Sequence, residues 1–290
     1  MTGRRAVRRA AHSALSLIAP GAGARWATDA FSDTRRLGRK PDNVLPLGAR
    51  RFAVHGSPDI SGGYLWGDPA DGAPIALLVH GWATDSSSMH SFVEPMRRLG
   101  FTVAAFDAPA HGVWDGSQAT MTQYTQAVAA VLDSLEGRVR VIVTHSLGTI
   151  ASLSGLALRG ADLDAMVLLA PACTLGGVLD RWDGAGMRVP AQTVRRVYDE
   201  LHRRNGVPVS HWDAVRRGAG LSWPVLSLHD PADDWVPYAD SETIARELPG
   251  VRLVPAPGVG HIGILSSREV SATVTAFVSA HTSRPAPAIP

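Results

Sequence analysis

From residue 75 onward the chain alternates between short, mostly apolar runs and longer segments with helical spacing. The apolar runs are Ile75 to Val79, Phe101 to Phe106, Val139 to Val143, Ala165 to Ala170, Pro224 to Leu228 and Val251 to Val254. A run that is apolar at nearly every position suits a strand covered on both faces. Between the runs, Ser88 to Leu99 (ended by Gly100) and Thr120 to Leu135 read as helices, the latter with Val128, Val131, Leu132 and Leu135 on one face. Ser241 to Leu248 and most of Ile262 to Val278 follow the same period. Such alternation implies an α/β fold, a mainly parallel sheet with helices on both faces. Ahead of it, Arg51 to His55 and Gly62 to Trp66 read as an antiparallel pair joined by a Gly-Ser-Pro-Asp turn.

Two stretches fall outside this rhythm. About fifty residues separate the strand ending near Ala170 from the one starting at Pro224. A bare loop of that length is uncommon in a compact domain. Residues 175–222 therefore read as a small, mostly helical cap inserted before the penultimate strand. Asp199 to Arg204, preceded by Val194 and Val197, forms one amphipathic helix in it. The core is then 49–174 with 223–282, and the Pro-Ala-Pro-Ala tail over 283–290 reads as disordered.

The second stretch is a basic arm over 1–48. Residues 1–51 carry 11 Arg/Lys against 3 Asp, while the remainder carries 17 Arg against 23 Asp/Glu. Arg4, Arg5, Arg8 and Arg9 precede a weakly apolar stretch that is too short and too polar to span a bilayer, which takes about 20 apolar residues. Ala6, Ala10, Ala14, Leu15, Leu17 and Ile18 suit one face of a short basic helix able to lie on an anionic membrane surface. A frayed or locally packed arm and a cleaved signal are the other readings. No groove-reading or aromatic pattern accompanies the arginines, so nucleic acid is not expected as a partner. The expected location is cytoplasmic, with or without membrane contact.

The chemistry centres on Ile142-Val-Thr-His-Ser-Leu-Gly148. A serine caught between a strand and a helix sits on a tight turn that lifts its hydroxyl off the sheet. Gly148 lets strand and helix approach closely, and the Leu147 N–H points where an oxyanion would form. The single cysteine, Cys173, excludes an internal disulfide and a cysteine zinc site, and reads as a buried inert thiol. There is no His-Glu-x-x-His and no phosphate-binding Gly-rich loop, so neither a metal nor a nucleotide cofactor is expected.

Residues 50 to 282 resemble the α/β-hydrolase fold family. Leu78-Val-His-Gly-Trp82 is similar to the family's His-Gly-aromatic segment after the third strand, which makes Trp82 the second oxyanion N–H donor. Phe106-Asp-Ala-Pro-Ala-His-Gly112 resembles the Asp-x-Pro-Gly-His-Gly loop, with Ala110 in place of a glycine and His111 in a structural role. Thr144-His-Ser-Leu-Gly148 resembles Gly-x-Ser-x-Gly, with Thr144 where a glycine is usual. A β-branched residue there either opens the turn or is accommodated by the backbone. His229 to Pro237 resembles His-Gly-x-x-Asp-x-x-Val-Pro. Aligning its ends places the acid at Asp233, between the competing carboxylates Asp230 and Asp234. Gly258-Val-Gly-His261 resembles the loop that carries the general base.

The resemblance implies a serine hydrolase acting on a small carboxylic ester or thioester. Ser146 would be the nucleophile, His261 the base, Asp233 its orienting acid, and Trp82 and Leu147 the oxyanion donors. Met89, Trp114, Trp182, Met187 and Trp212 are candidate walls of the substrate pocket. Two other readings stand beside it. One is a catalytically silent scaffold that binds an apolar ligand or partner. The other is a membrane-associated lysophospholipase or monoacylglycerol lipase-like enzyme.

Overall fold

The central apolar runs become strands because a sheet covered on both faces hides their side chains, whereas the last run, at the sheet edge, stays half-exposed. The computed structural model describes residues 2–35, 45–68, 72–182, 184 and 189–282. Eight strands form one sheet: β1 (Arg50–Ala53), β2 (Gly62–Trp66), β3 (Ile75–Val79), β4 (Thr102–Ala105), β5 (Val139–His145), β6 (Ala165–Leu169), β7 (Val225–His229) and β8 (Val251–Pro255). Their order is β1-β2-β4-β3-β5-β6-β7-β8, with β1 and β2 antiparallel and β3 to β8 parallel. Alternate residues of one strand serve opposite layers. Ile75, Leu77 and Val79 pack into one core cluster, and Ala76 and Leu78 into the other.

Eleven α-helices among the described residues complete the fold. α1 (Thr2–Ile18) and α2 (Pro20–Phe31) precede the sheet, and α3 (Val93–Arg98), α4 (Met121–Ser134) and α5 (Gly148–Arg159) alternate with β3 to β6. α6 (Leu175–Arg181), α7 (Ala191–Asn205) and α8 (Ala214–Gly218) lie between β6 and β7. α9 (Tyr238–Glu247), α10 (Gly260–Gly263) and α11 (Arg268–His281) follow. The expected helix over 88–99 divides into a 3-10 turn, Ser86–Phe92, and α3. α4 starts at a capping box in which Thr120 and Gln123 satisfy each other's backbone N–H, worth about 1 kcal/mol for the cap. The cap is pinched at its neck by a backbone bridge between Thr174 and Asp213.

The described N-terminal part of the arm, residues 2–35, is mostly helical and packed. α1 packs on α2, and α2 packs on α7 of the cap. Pro20 suits the first turn of α2, and the α1–α2 contact is close because Gly23 lies against Ser16, where an added Cβ would come 2.9 Å from the Ser16 Cα. His12 Nε2–H donates to the Gly23 carbonyl at 3.0 Å. α1 thus turns His12 and Ser16 inward and leaves Val7, Leu17 and Ile18 exposed. Leu17 and Ile18 belong to the apolar face read from the sequence, and that face is turned away from α2. Among the described residues no helix is long and apolar enough to cross a membrane. The tail over 283–290 lies outside the described residues.

Parallel register brings the strand ends to one rim. Val79 pairs with Thr144, His145 with Leu169, Leu169 with Leu228, and His229 with Pro255. The loops leaving β3, β5, β7 and β8 therefore emerge side by side, which is where parallel α/β sheets place their sites.

Candidate active site

Ser146 follows β5 with φ +53°, in the left-handed region that non-glycine residues rarely adopt. The strain persists because both flanks are fixed. Ser146 N–H donates to the Leu169 carbonyl at 3.0 Å, and the Ser146 carbonyl accepts from Thr149 N–H at 3.0 Å. Gly148 makes the crossing feasible, since a Cβ there would stand 2.3 Å from the His80 carbonyl oxygen. Thr144 is accommodated without opening the turn. β5 runs unbroken to His145, and the Thr144 hydroxyl lies 2.9 Å from the Thr149 hydroxyl and 3.2 Å from the Val167 carbonyl.

The structure brings Ser146, His261 and Asp233 together although 115 residues separate the first two. His261 Nε2 is 3.1 Å from Ser146 Oγ, and His261 Nδ1 is 2.7 Å from Asp233 Oδ2. An ionised carboxylate only accepts, so the shared proton belongs on Nδ1 and Nε2 is left to accept from the serine hydroxyl. Asp233 is fully buried at its side chain. Burial alone would raise its pKa, but hydrogen bonds from His229 and His261, helped by the Val236 N–H, hold it well below the usual carboxylate range. Oδ1 accepts from Trp235 N–H at 2.8 Å and Val236 N–H at 3.0 Å.

The two neighbouring carboxylates do other work. Asp230 Oδ2 accepts from Gly260 N–H at 2.6 Å and Oδ1 from Ala232 N–H at 2.9 Å, so it ties the His261 loop to the end of β7. Those N–H groups lower its pKa. Asp234 is exposed and lines the pocket mouth.

The loop after β3 abuts the serine. A Cβ at Gly81 would meet His145 Nδ1 at 2.6 Å and Ser146 Cβ at 3.2 Å, so only glycine fits there. Two buried histidines set its course. His111 Nε2 accepts from Ala83 N–H at 3.0 Å while its Nδ1–H donates to the Pro109 carbonyl, which steers Ala83 into φ +59°. His80 Nε2 accepts from Ala108 N–H at 3.0 Å, and its Nδ1–H donates to the Gly81 carbonyl at 2.6 Å. Burial first, then the nearby His80, pushes His111 down to about 3, so it stays neutral and keeps its acceptor nitrogen. Ala110, which stands where a glycine is usual, takes φ +59°, a choice that costs a non-glycine residue about 1 kcal/mol. Gly112, at φ +51°, leaves room for the Asp107 carboxylate, which fixes Ser86 N–H at 2.8 Å and Val113 N–H at 3.2 Å.

Trp82, His145, Ser146, Val178, Trp182, Trp235 and His261 are among the residues lining an open pocket of about 360 Å3. Leu147 lines the adjoining cavity. Of the expected walls, Trp182 is in place. Met89 is fully buried in the second core cluster, because the 3-10 turn over 86–92 folds it down among residues of that layer. Trp114 lies along a separate groove beside Phe52 and Gly63, held by a hydrogen bond from its Nε1 to the Asp107 carbonyl. Trp212 is buried in the first core cluster, continuous with the sheet. Met187 lies outside the described residues. Cys173 is buried and its thiol is pushed up to about 12, mainly by burial.

Sequence reasoning missed four supporting residues. His145 Nε2–H donates to the His261 carbonyl at 3.0 Å, and burial pushes its pKa down to about 3. Its ring lies 4.7 Å from that of His261, and the His261 ring also stacks on Trp235 at 5.3 Å. His229 Nε2–H faces both the Val236 carbonyl at 2.9 Å and Asp233 Oδ2 at 3.2 Å, while its Nδ1 accepts from Ser241. Phe31, from the arm, lies edge-on to Trp182 at 5.3 Å. Only His229 carried a signal in the sequence, as the fixed end of its segment. Among the described residues, no group of three or more metal-ligating side chains converges.

The model of the alpha/beta hydrolase family matches residues 76–273, and the chain belongs to that family. Solved structures share the fold at low identity. A thermophilic esterase from Thermogutta terrifontis is 19% identical, with a TM-score of 0.56 over 81% of this chain and 99% of its own. An esterase from Rhodococcus sp. ECU1013 is 17% identical, with a TM-score of 0.57 over 81% of this chain and 100% of its own. A bacterial membrane phospholipase A is 16% identical, with a TM-score of 0.61 over 82% of this chain and 88% of its own. A search of curated proteins found no match.

Proposed function

We propose that this alpha/beta hydrolase cleaves a small carboxylic ester or thioester through an acyl-enzyme on Ser146. The observation that carries the reading is the continuous chain of contacts from Ser146 Oγ through His261 to Asp233, at 3.1 and 2.7 Å. Ser146 Oγ attacks the carbonyl carbon while His261 Nε2 takes the hydroxyl proton. The negative charge that develops on the carbonyl oxygen is held by the N–H groups of Trp82 and Leu147, each such donor being worth about 3 kcal/mol. The tetrahedral adduct collapses, the leaving alcohol or thiol takes the proton from His261, and the acyl group remains on Ser146. Water then attacks the acyl carbon as it gives a proton to His261; the second adduct collapses, the bond to Ser146 Oγ breaks, His261 returns the proton to that oxygen, and the acid leaves. Asp233 stays ionised throughout and stabilises the imidazolium.

Wild type and Ser146→Ala compared on 4-nitrophenyl butanoate test this. The reading expects turnover by the wild type and a loss of at least about 10^4-fold in the variant. Equal turnover by the two would move the nucleophile elsewhere. No turnover by the wild type on esters or thioesters would favour the silent scaffold.

One observation favours a second reading, a lipid hydrolase working at a membrane surface. α1 exposes Val7, Leu17 and Ile18 on a helix whose sequence also carries Arg4, Arg5, Arg8 and Arg9. This reading expects sedimentation with phosphatidylglycerol vesicles but not phosphatidylcholine vesicles, lost in Leu17→Glu/Ile18→Glu. Equal partition of wild type and variant would remove it.

A further inference from the structure

The chain leaving α2 does not return directly to the sheet. Residues 29–34 run over the site, held by a series of bonds to loops of the core and cap. Asp29 pairs with Arg204 of α7 at 2.7 Å. Phe31 lies edge-on to Trp182. The Asp33 carbonyl accepts from Trp82 Nε1–H at 3.2 Å. Thr34 donates from its hydroxyl to the Ala110 carbonyl at 2.7 Å and from its N–H to the Ser117 carbonyl at 3.0 Å. Ala119 N–H returns a bond to the Ser32 carbonyl, closing a backbone bridge between Asp33 and Gln118.

Beneath this span lies a mostly apolar cavity of about 110 Å3. Residues 30–33 form one wall, and Leu147, Val178, Trp182 and Leu201 are among the others. It shares Trp82, Val178 and Trp182 with the open pocket over Ser146. The two spaces therefore adjoin at those three residues, and they differ in charge. The larger one holds His261, Asp234 and Arg181, while Asp33 is the one charged residue lining the smaller.

Reaction geometry assigns one ligand half to each, given the acyl-enzyme reading above, on which this step rests. The leaving oxygen or sulfur has to receive its proton from His261 Nε2, so the leaving group stands on the His261 side, in the open pocket. The carbonyl oxygen points to the N–H groups of Trp82 and Leu147. The acyl chain is then directed past the Leu147 side chain, into the smaller, mostly apolar cavity. We infer that the cavity under residues 30–33 is the acyl-chain site and that the N-terminal segment sets its depth. A dry cavity of about 150 Å3 takes a six-carbon ring. By that measure this one holds an unbranched apolar chain of about four carbons beyond the carbonyl.

The test is the kcat/KM profile on 4-nitrophenyl esters from acetate to dodecanoate, measured for the full chain and two variants. Phe31→Ala removes the wall and is expected to move the optimum to longer acyl chains, changing the octanoate-to-butanoate ratio by at least about ten-fold, the least that one methylene is worth in an apolar pocket. Ala30→Leu fills the cavity from the same wall without removing a packed ring, and is expected to move the optimum towards acetate. Wild-type and Ser146→Ala proteins are treated in parallel with a fluorophosphonate ethyl ester. Labelling of wild-type Ser146 with profiles that superimpose in all three proteins would overturn the acyl-site assignment and leave the acyl-enzyme standing. An unlabelled wild type with no esterase activity would overturn both.

Discussion

The rim that holds Ser146 and the wall that residues 29–34 build over it are made on different principles. At the rim, polar atoms are paired several deep. Asp233 alone accepts four hydrogen bonds, and His111, His145 and His229 each fix a loop through specific ring nitrogens. Buried polar networks of this kind define one geometry, and leaving any member unpaired costs about 1–3 kcal/mol. The wall over the cavity is held by a few backbone bonds, one ion pair and ring packing. It specifies a shape more than a set of donors. The first region should fail abruptly when altered and the second by degrees.

The largest break should come from one of the three acidic side chains after β7. Asp233→Asn is expected to lower kcat by about 10^3- to 10^4-fold, because the amide forces the wrong imidazole tautomer. Asp234→Asn should change it less than about three-fold, since that carboxylate is exposed. Asp230→Asn should fall between them by loosening the bond to Gly260. Steady-state kinetics on one ester ranks the three, and an Asp234 effect equal to that of Asp233 would reassign the acid.

An acid titration tests the buried histidines. His111 and His145 sit near 3 in the folded chain against an ordinary value of 6.5. The unfolded chain then binds more protons between these values, so stability rises with pH across that window and is lost as pH falls from 6.5 towards 3. His145→Gln should flatten the slope by up to about 1.4 kcal/mol per pH unit, read from denaturant unfolding at pH 4, 5 and 6. An unchanged slope would mean that this imidazole titrates normally.

The wall should respond more gently. Thr34→Val removes the bond that pins Ala110 in its left-handed conformation. It is expected to cost about 1 kcal/mol, or a Tm lowered by about 2–4 °C. Leu17→Glu lies on the exposed face of α1 and should move Tm in dilute buffer by less than about 1 °C. A larger loss there would mean that the face is covered.

How legible each region was follows from how local its signals are. The sheet could be read because each buried strand carries its own apolar run, and the meeting of Ser146, His261 and Asp233 because each sits in a short segment at a strand end. Asp233 was separable from Asp230 and Asp234 by spacing to Val236 and Pro237. What failed was long-range packing. Met89 was expected near substrate because it follows the Trp82 loop. Whether such a residue points to the pocket or the core depends on a 3-10 turn that sequence spacing did not reveal. Trp114 was misplaced for a similar reason, its indole being drawn to the Asp107 carbonyl. In α1 the apolar stripe was visible, but the inward turn of its polar side was not. The packing of His12 and Ser16 against α2 decided that.

The central claim is that the Ser146 hydroxyl, and no other, is made nucleophilic by its neighbours. Intact-mass and peptide mapping after brief exposure to diisopropyl fluorophosphate measures this directly. The account predicts a single adduct on the peptide holding Ser146, absent from Ser146→Ala and slowed by orders of magnitude in His261→Ala. An adduct on another residue, or none under conditions that leave the chain folded, would contradict it.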